Sequence, residues 1–441
     1  MRFNFNKYFE EAEKRGIAPY SIGFGRTTET SVEVFNGEVE TQQIGSTQEI
    51  GARGLHDGKI GGFSTDAIDA KTPEIMAEKV LEASKFGKED KAENFFAGGL
   101  RYRKIEGEDI EMKKSTLKEL REAAIAFSKK IQDLDKRVTQ VTVGLSMVES
   151  EMMKRNSLGL KFSQKSSYYV GSVELVCEDE SKEPRSSSIG FYSFLSLEDL
   201  MKEGEKKLSD LLHGVIDFFK TGPCASKKYK AVLSPSCVAD LFSFLKGHFN
   251  AKSVEKHLSV FEGKVGEEIM SKKLTILHTP HKNTPAAMKC DSDGYPAQDF
   301  TLIKRGVLQT YCYSLETANQ ENRKSNGCAC GGGNAVPGCL TVKEGKKTKE
   351  ELFEEMGNGI YIDNISGLNS GINSQTLDFS LPCQGYLIKD GKKDKAVSMI
   401  VCAGNLQDLF EHVVDLASDS RFTSGMITPS ILFKSLAISG Q

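Results

Sequence analysis

Apolar positions along this chain of 441 residues change period several times, and each change marks an element. In residues 19–64, Val32, Val34 and Val39 alternate with polar neighbours about Asn36-Gly37. A second pair of strands turns at Asp57-Gly58, and both dipeptides are two-residue hairpin signals. Residues 72–87 read as a helix opened by Thr72-Pro73 and stopped by Gly87. A stronger helix begins at Ser115, with Leu117, Leu120, Ala124, Phe127, Ile131 and Leu134 on one core-facing stripe. Strand-like runs follow at 138–143, 159–162, 168–176 and 188–194, then a helix over 196–219 capped by Ser196 and Asp199. The two stretches share an order of elements, with Asn36-Gly37 and Asn156-Ser157 in comparable places, which suggests an internal repeat.

After Gly222-Pro223 and a strand at 229–233, residues 234–249 read as one helix. Ser234 caps it, Pro235 suits its first position, and Val238, Leu241, Leu245 and Phe249 share a face. Strands are expected beyond it at 273–278, 299–303, 307–314, 359–362, 385–389, 397–402 and 430–437, with helices at 348–356 and 405–417. Runs of strands with helices set apart from them indicate an α+β fold. Residues 1–222 would form an N-terminal domain of two strand-hairpin-helix repeats, and 223–441 a strand-rich domain with a few helices.

Composition narrows the function. Lys and Arg total 58 against 61 Asp and Glu, a formal charge of -3, so no basic surface for nucleic acid or anionic lipid is indicated. The start of the chain is polar rather than signal-like, and no segment reaches the roughly 20 apolar residues of a membrane span. Ten cysteines at irregular spacings fit reduced thiols better than a disulfide framework, so a cytoplasmic protein is expected.

Candidate chemistry is sparse. His278 and His281 are three apart, but Thr279-Pro280 between them favours a loop over a ligand-bearing helix. Cys328, Cys330 and Cys339 with Gly331, Gly332 and Gly333 match no standard metal framework. The glycines instead suggest a mobile loop whose backbone could pair with an extended peptide. No phosphate loop of the GxxxxGK[ST] kind and no Gly-x-Ser-x-Gly elbow is present.

From residue 290 onward the chain resembles the TldD/PmbA, or modulator-of-DNA-gyrase, family. The resemblance rests on DSDGYPAQ at 291–298, LIKRGVL at 302–308, YCYSLETA at 311–318 and MGNGIY at 356–361. ISG at 365–367, GYLI at 385–388, AGNL at 403–406, PSIL at 429–432 and LAISG at 436–440 continue it, and the hairpin of residues 51–64 is similar to the family's arginine-glycine hairpin. It is nearest to the PmbA (TldE) branch. The resemblance implies an α+β protein whose C-terminal domain packs in dimers, and two kinds of subunit. One, TldD, carries a zinc-binding His-Glu-x-x-x-His helix and a further cysteine ligand. The other lacks that set and pairs with it, as a heterodimer, in a peptidase for small, unfolded or modified peptides.

Carried onto this chain, the motif's second histidine falls on His248, its first on Ser243 and its glutamate on Phe244, while Ser424-Gly425 stands where the active type has Cys-Gly. Serine is a poor zinc ligand and phenylalanine cannot take a proton from water. The expectation is a subunit with no metal or cofactor of its own, zinc being held by the partner. Two other readings stay open. One is a peptidase in its own right, drawing ligands from His248, His257 and the loop cysteines; pairing of the chain with itself, as a homodimer, is a separate open alternative to the heterodimer. The other is a non-proteolytic binding protein acting on gyrase or a toxin–antitoxin system.

Overall fold

The computed structural model describes residues 3–180 and 182–440. The chain divides into two compact units, one of residues up to Gly99 with Gly107–Phe219, the other of Leu100–Glu106 with the residues from Lys220 onward. Strand accounts for 40% of the chain and helix for 22%, and the two are segregated as an α+β fold requires.

The first unit is built from one pattern used twice. Helix α1 (Phe5–Lys14) precedes strands β1 (Tyr20–Phe35), β2 (Glu38–His56) and β3 (Lys59–Thr65), and helix α2 (Thr72–Ser84) follows. Helix α3 (Leu117–Gln132) then precedes β4 (Val138–Asn156), β5 (Lys161–Glu178) and β6 (Pro184–Ser193), followed by α4 (Leu197–Glu205) and α5 (Leu208–Ile216). All six strands form one antiparallel sheet in the order β3-β2-β1-β4-β5-β6, so the first strand of each half lies at its centre.

Turn chemistry sets the register. Asn36 and Gly37 have φ of 48° and 84°, and Asp57 and Gly58 of 49° and 74°, the paired positive values of a two-residue hairpin. The β4–β5 turn closes differently: Asn156 Oδ1 accepts the Leu158 and Leu160 amides at 3.0 and 2.9 Å. Helix α3 starts with a capping box, in which Thr116 accepts the Glu119 amide and the Glu119 carboxylate returns the bond. Its stripe of Leu120, Ala124, Phe127 and Ile131 packs on Val32, Val34 and Val143. The helix expected over 196–219 is two helices. The break follows Gly204, which lies so close to the Phe191 and Phe127 rings that a Cβ would come within 2.8 Å of one and 3.1 Å of the other.

The second unit centres on a sheet that closes on itself. Strands Lys392–Asn405, Asp378–Lys389, Gly359–Ile365, Lys227–Leu233 and Ile431–Ser439 pair in that order, and Val401–Ala403 of the first pairs with Ala437–Ser439 of the last. A second sheet runs in the order Val307–Leu308, Phe300–Lys304, Ile276–His278, Leu340–Val342, Met426–Thr428, Arg421–Thr423. The helix expected over 405–417 covers only Leu406–Glu411, because Val413–Leu416 joins the closed sheet beside Ile431–Phe433.

The helix expected over 234–249 is also shorter. Its α-helical part is Pro235–Ser243, and Lys246–Phe249 is a 3₁₀ turn. Ser243 Oγ donates to the Asp240 carbonyl at 2.6 Å, the acceptor that an α-helical Phe244 amide needs. The Phe244 amide therefore bonds to Leu241 O at 3.3 Å, and the chain tightens. Cys237, Val238, Leu241 and Phe242 still face the core.

Candidate functional site

The helix Pro235–Ser243 enters the second unit's core with its first turn fixed: Ser234 Oγ accepts the Cys237 amide and bonds Asp363 O at 2.9 Å. Its last turn meets the hairpin Arg421–Thr423/Met426–Thr428. The tip of that hairpin is Ser424-Gly425, with φ of 48° and 72°. There Ser424 Oγ donates to Asp240 Oδ1 at 2.6 Å, and Lys246 Nζ donates to the Ser424 carbonyl at 3.2 Å. Ser424 is exposed, while Asp240, Ser243 and Lys246 are half-buried. Burial holds the Lys246 ammonium below the ordinary lysine pKa, an effect the nearby Cys339 thiol partly offsets. Cys339 itself is buried between the Thr279 and Thr284 hydroxyls, and burial pushes its thiol up.

His248 takes no part in this corner. Its Nδ1 accepts the Val260 amide at 3.3 Å, which leaves the ring proton on Nε2, donated to Ser374 O at 2.9 Å. Both nitrogens are engaged by backbone, the residue is buried, and burial lowers its pKa. Phe244 is half-buried and packs on the core. Of the sequence-derived positions, Ser243 and Ser424 therefore gather around Asp240, while His248 and Phe244 serve the packing. Sequence reasoning did not single out Asp240 and Lys246. The signal available for Asp240 was its place one helical turn before Ser243.

The other histidines and the cysteine cluster have equally defined partners. His278 Nδ1 bonds Gln298 O at 2.8 Å and its Nε2 accepts the Gly338 amide at 3.4 Å; burial drops its pKa to about 4. His281 Nδ1 bonds Asp299 Oδ2 at 2.8 Å, and Asp299 also pairs with Arg103. Cys328 is buried beside His278 and Cys312, whereas Cys330 is exposed. Gly331, Gly332 and Gly333 form the turn of a small hairpin, Ala329–Gly331 with Asn334–Ala335. That turn is tied down: Lys252 Nζ donates to Gly332 O at 2.7 Å and Ser314 Oγ to Gly333 O at 2.9 Å. Lys252 is in turn paired with Glu316 at 3.1 Å, both largely buried. His257 is exposed and pairs with Glu262 at 2.8 Å. Among the described residues, no group of three or more His, Cys, Asp or Glu is placed to hold a metal ion.

Comparison with known proteins agrees with this architecture. The profile of the PmbA/TldA metallopeptidase C-terminal domain matches residues 226–440, that of domain 1 matches 20–84, and that of the central domain matches 103–212. The chain belongs to the PmbA/TldD metallopeptidase family. Its relatives include an uncharacterised Methanocaldococcus jannaschii protein, 26% identical over 98% of this chain and 99% of that one. Metalloprotease PmbA of Escherichia coli O157:H7 is 22% identical over 95% of this chain and 92% of its own. A crystal structure from Thermotoga maritima, described there as a candidate modulator of a DNA gyrase, superposes with a TM-score of 0.88 at 27% identity, covering 98% of this chain and 99% of that one. TldE of Thermococcus kodakarensis shares the fold at a TM-score of 0.83, 21% identity and 99% coverage of both chains.

A family of metallopeptidases implies zinc, and the residues here do not fit it. The corner between helix and hairpin offers hydroxyls, one carboxylate and one ammonium, with no imidazole and no thiolate among Asp240, Ser243, Lys246 and Ser424. Ser424 donates its hydroxyl to the Asp240 carboxylate, and no histidine takes part in that contact. What the corner can do is hold polar or charged groups. No helix among the described residues is long and apolar enough to cross a membrane.

Proposed function

We propose that this chain is the non-catalytic, TldE-type subunit of a peptidase that acts on small, unfolded or modified peptides. The metal-activated water would come from a TldD-type partner, and this chain would contribute binding surface. The observation that carries the reading is the pair of contacts on one short stretch: Ser424 is bonded to Asp240 where relatives of the active kind need a ligand, and His248 has both ring nitrogens on backbone. Bringing His248 to a metal would break the Val260 and Ser374 bonds and open a core position, a cost of about 2–4 kcal/mol that one imidazole–zinc contact in a set without other ligands does not offset. The carboxylate, ammonium and hydroxyls at the corner suit the termini and amides of a peptide. A formal charge of -3 gives no reason to place nucleic acid there.

The test is cleavage of an unfolded peptide by this chain alone, by a TldD-type subunit alone, and by the mixture, each with and without a zinc chelator. Chelator-sensitive cleavage that needs both subunits supports the reading. Chelator-sensitive cleavage by this chain alone overturns it in favour of an independent peptidase. A mixed complex that forms and cuts nothing favours a binding or regulatory protein.

A further inference from the structure

The sheet of the first unit carries its helices at two ends of one face. Helices α1 and α2 cover Tyr20, Ile22 and Phe24, while α3 covers Val32 and Val34. Beside α1 lies a cavity of about 560 Å³. Its floor is Phe24 and Arg26 of β1 with Glu151, Met153 and Arg155 of β4, and the segment from Phe3 to Asn6, at the start of α1, forms the wall.

The charges in this cavity are not satisfied by one another. Arg26 and Glu151 stand directly opposite in the β1–β4 register, so their side chains leave the same face. Yet Arg26 donates to Gln48 Oε1 at 3.1 Å on the other neighbouring strand, and Glu151 lies 3.8 Å from Lys165. The Arg155 guanidinium stacks over the Phe5 ring at 4.9 Å and has no hydrogen-bonding or ionic partner among the described residues. A guanidinium has five N–H donors, so most of those on the two arginines are left for a ligand. The amides of Phe5 and Asn6 belong to the first helical turn, where the helix supplies no acceptor and its dipole favours an anion.

We propose that this cavity binds a monocarboxylate carrying an apolar group. The lining sets two arginines among apolar side chains, which suits a carboxylate borne on an apolar group better than a free phosphate, whose hydrophilic oxygens would face Phe3, Phe5 and Met153. Phe3, Phe5, Phe24 and Met153 supply the apolar lining, and the volume is that of a small-ligand site. The guanidinium fork pairs with a carboxylate in two parallel bonds. The same chemistry is offered by the C-terminus of a peptide ending in an apolar residue and by a free N-acylated apolar amino acid. The site is independent of the peptidase reading, since it lies in the other unit.

Calorimetric titration of the full chain tests it with three probes: a tetrapeptide ending in leucine, the same peptide amidated, and N-acetyl-leucine. The free acid is expected to bind, with about a tenfold or greater loss on amidation and again in Arg155→Gln, the scale of one lost charge-assisted bond. Arg26→Gln should weaken binding similarly, and Arg155→Lys should recover only part of it. N-acetyl-leucine binding as tightly as the peptide assigns the site to free acids, and tighter peptide binding assigns it to chain ends. Equal binding of acid and amide, or unchanged affinity in both glutamine variants with wild-type unfolding midpoints, overturns the proposal.

Discussion

Two places reached from the short stretch 240–248 invite comparison: the open corner where Asp240, Ser243 and Lys246 meet the distant Ser424, and the closed pocket around His248. The corner is made of polar groups that meet one another at a surface hairpin tip. The His248 pocket holds the residue type a metal site needs, yet its two nitrogens answer the backbone at Val260 and Ser374. Residue type alone does not reveal that these nitrogens are already engaged. The ligand-capable side chain is structural, and the position facing the hairpin carries a carboxylate and hydroxyls instead.

The sharpest way to break this comparison is His248→Ala. It removes the buried imidazole with its bonds to Ser374 O and the Val260 amide and leaves a void, so the full chain should lose about 2–3 kcal/mol in urea unfolding. A loss well under about 1 kcal/mol would mean the pocket does not depend on the imidazole. Acid sharpens the same contrast. The pKa values of His248 and His278 are lowered on folding, His278 to about 4, against an ordinary 6.5. Below pH 6.5 the unfolded chain therefore binds protons that the folded chain refuses, so stability falls on acidification and is level above pH 6.5. His278 alone contributes up to about 3 kcal/mol of loss by pH 4. Most carboxylates are still ionised between pH 6.5 and 5, so unfolding midpoints across that window isolate the histidines. A flat profile there would contradict their burial.

The corner should respond far less. Ser424→Ala removes a charge-assisted but exposed bond to Asp240 and should cost about 0.5–1 kcal/mol. Lys246→Met should change stability by about 0.5 kcal/mol or less, because losing the Ser424 carbonyl contact is offset by relief of ammonium burial. A corner variant as damaging as His248→Ala would invert the comparison.

How much of this was legible in the sequence differs between the units. Asn36-Gly37, Asp57-Gly58 and the stripe of α3 are local signals, and the structure follows them closely, because turn stereochemistry and a 3.6-residue period need no distant partner. The repeated order of elements was visible too, and it appears as the paired halves of one sheet. The helix over 234–249 was overextended because its break comes from one side chain, Ser243, taking a backbone carbonyl. Asp240 and Lys246 stayed hidden because their partner Ser424 is far along the chain, brought near by a hairpin on another sheet. The partners of His248, Val260 and Ser374, were equally beyond the reach of spacing.

Zinc content decides the central claim most directly. The untagged full chain, exposed to excess zinc, desalted and measured by elemental mass spectrometry alongside His248→Ala and Ser424→Ala, should retain no stoichiometric metal in any of the three. Stoichiometric zinc in the wild type that disappears in either variant would contradict the account and place a metal at the helix after all.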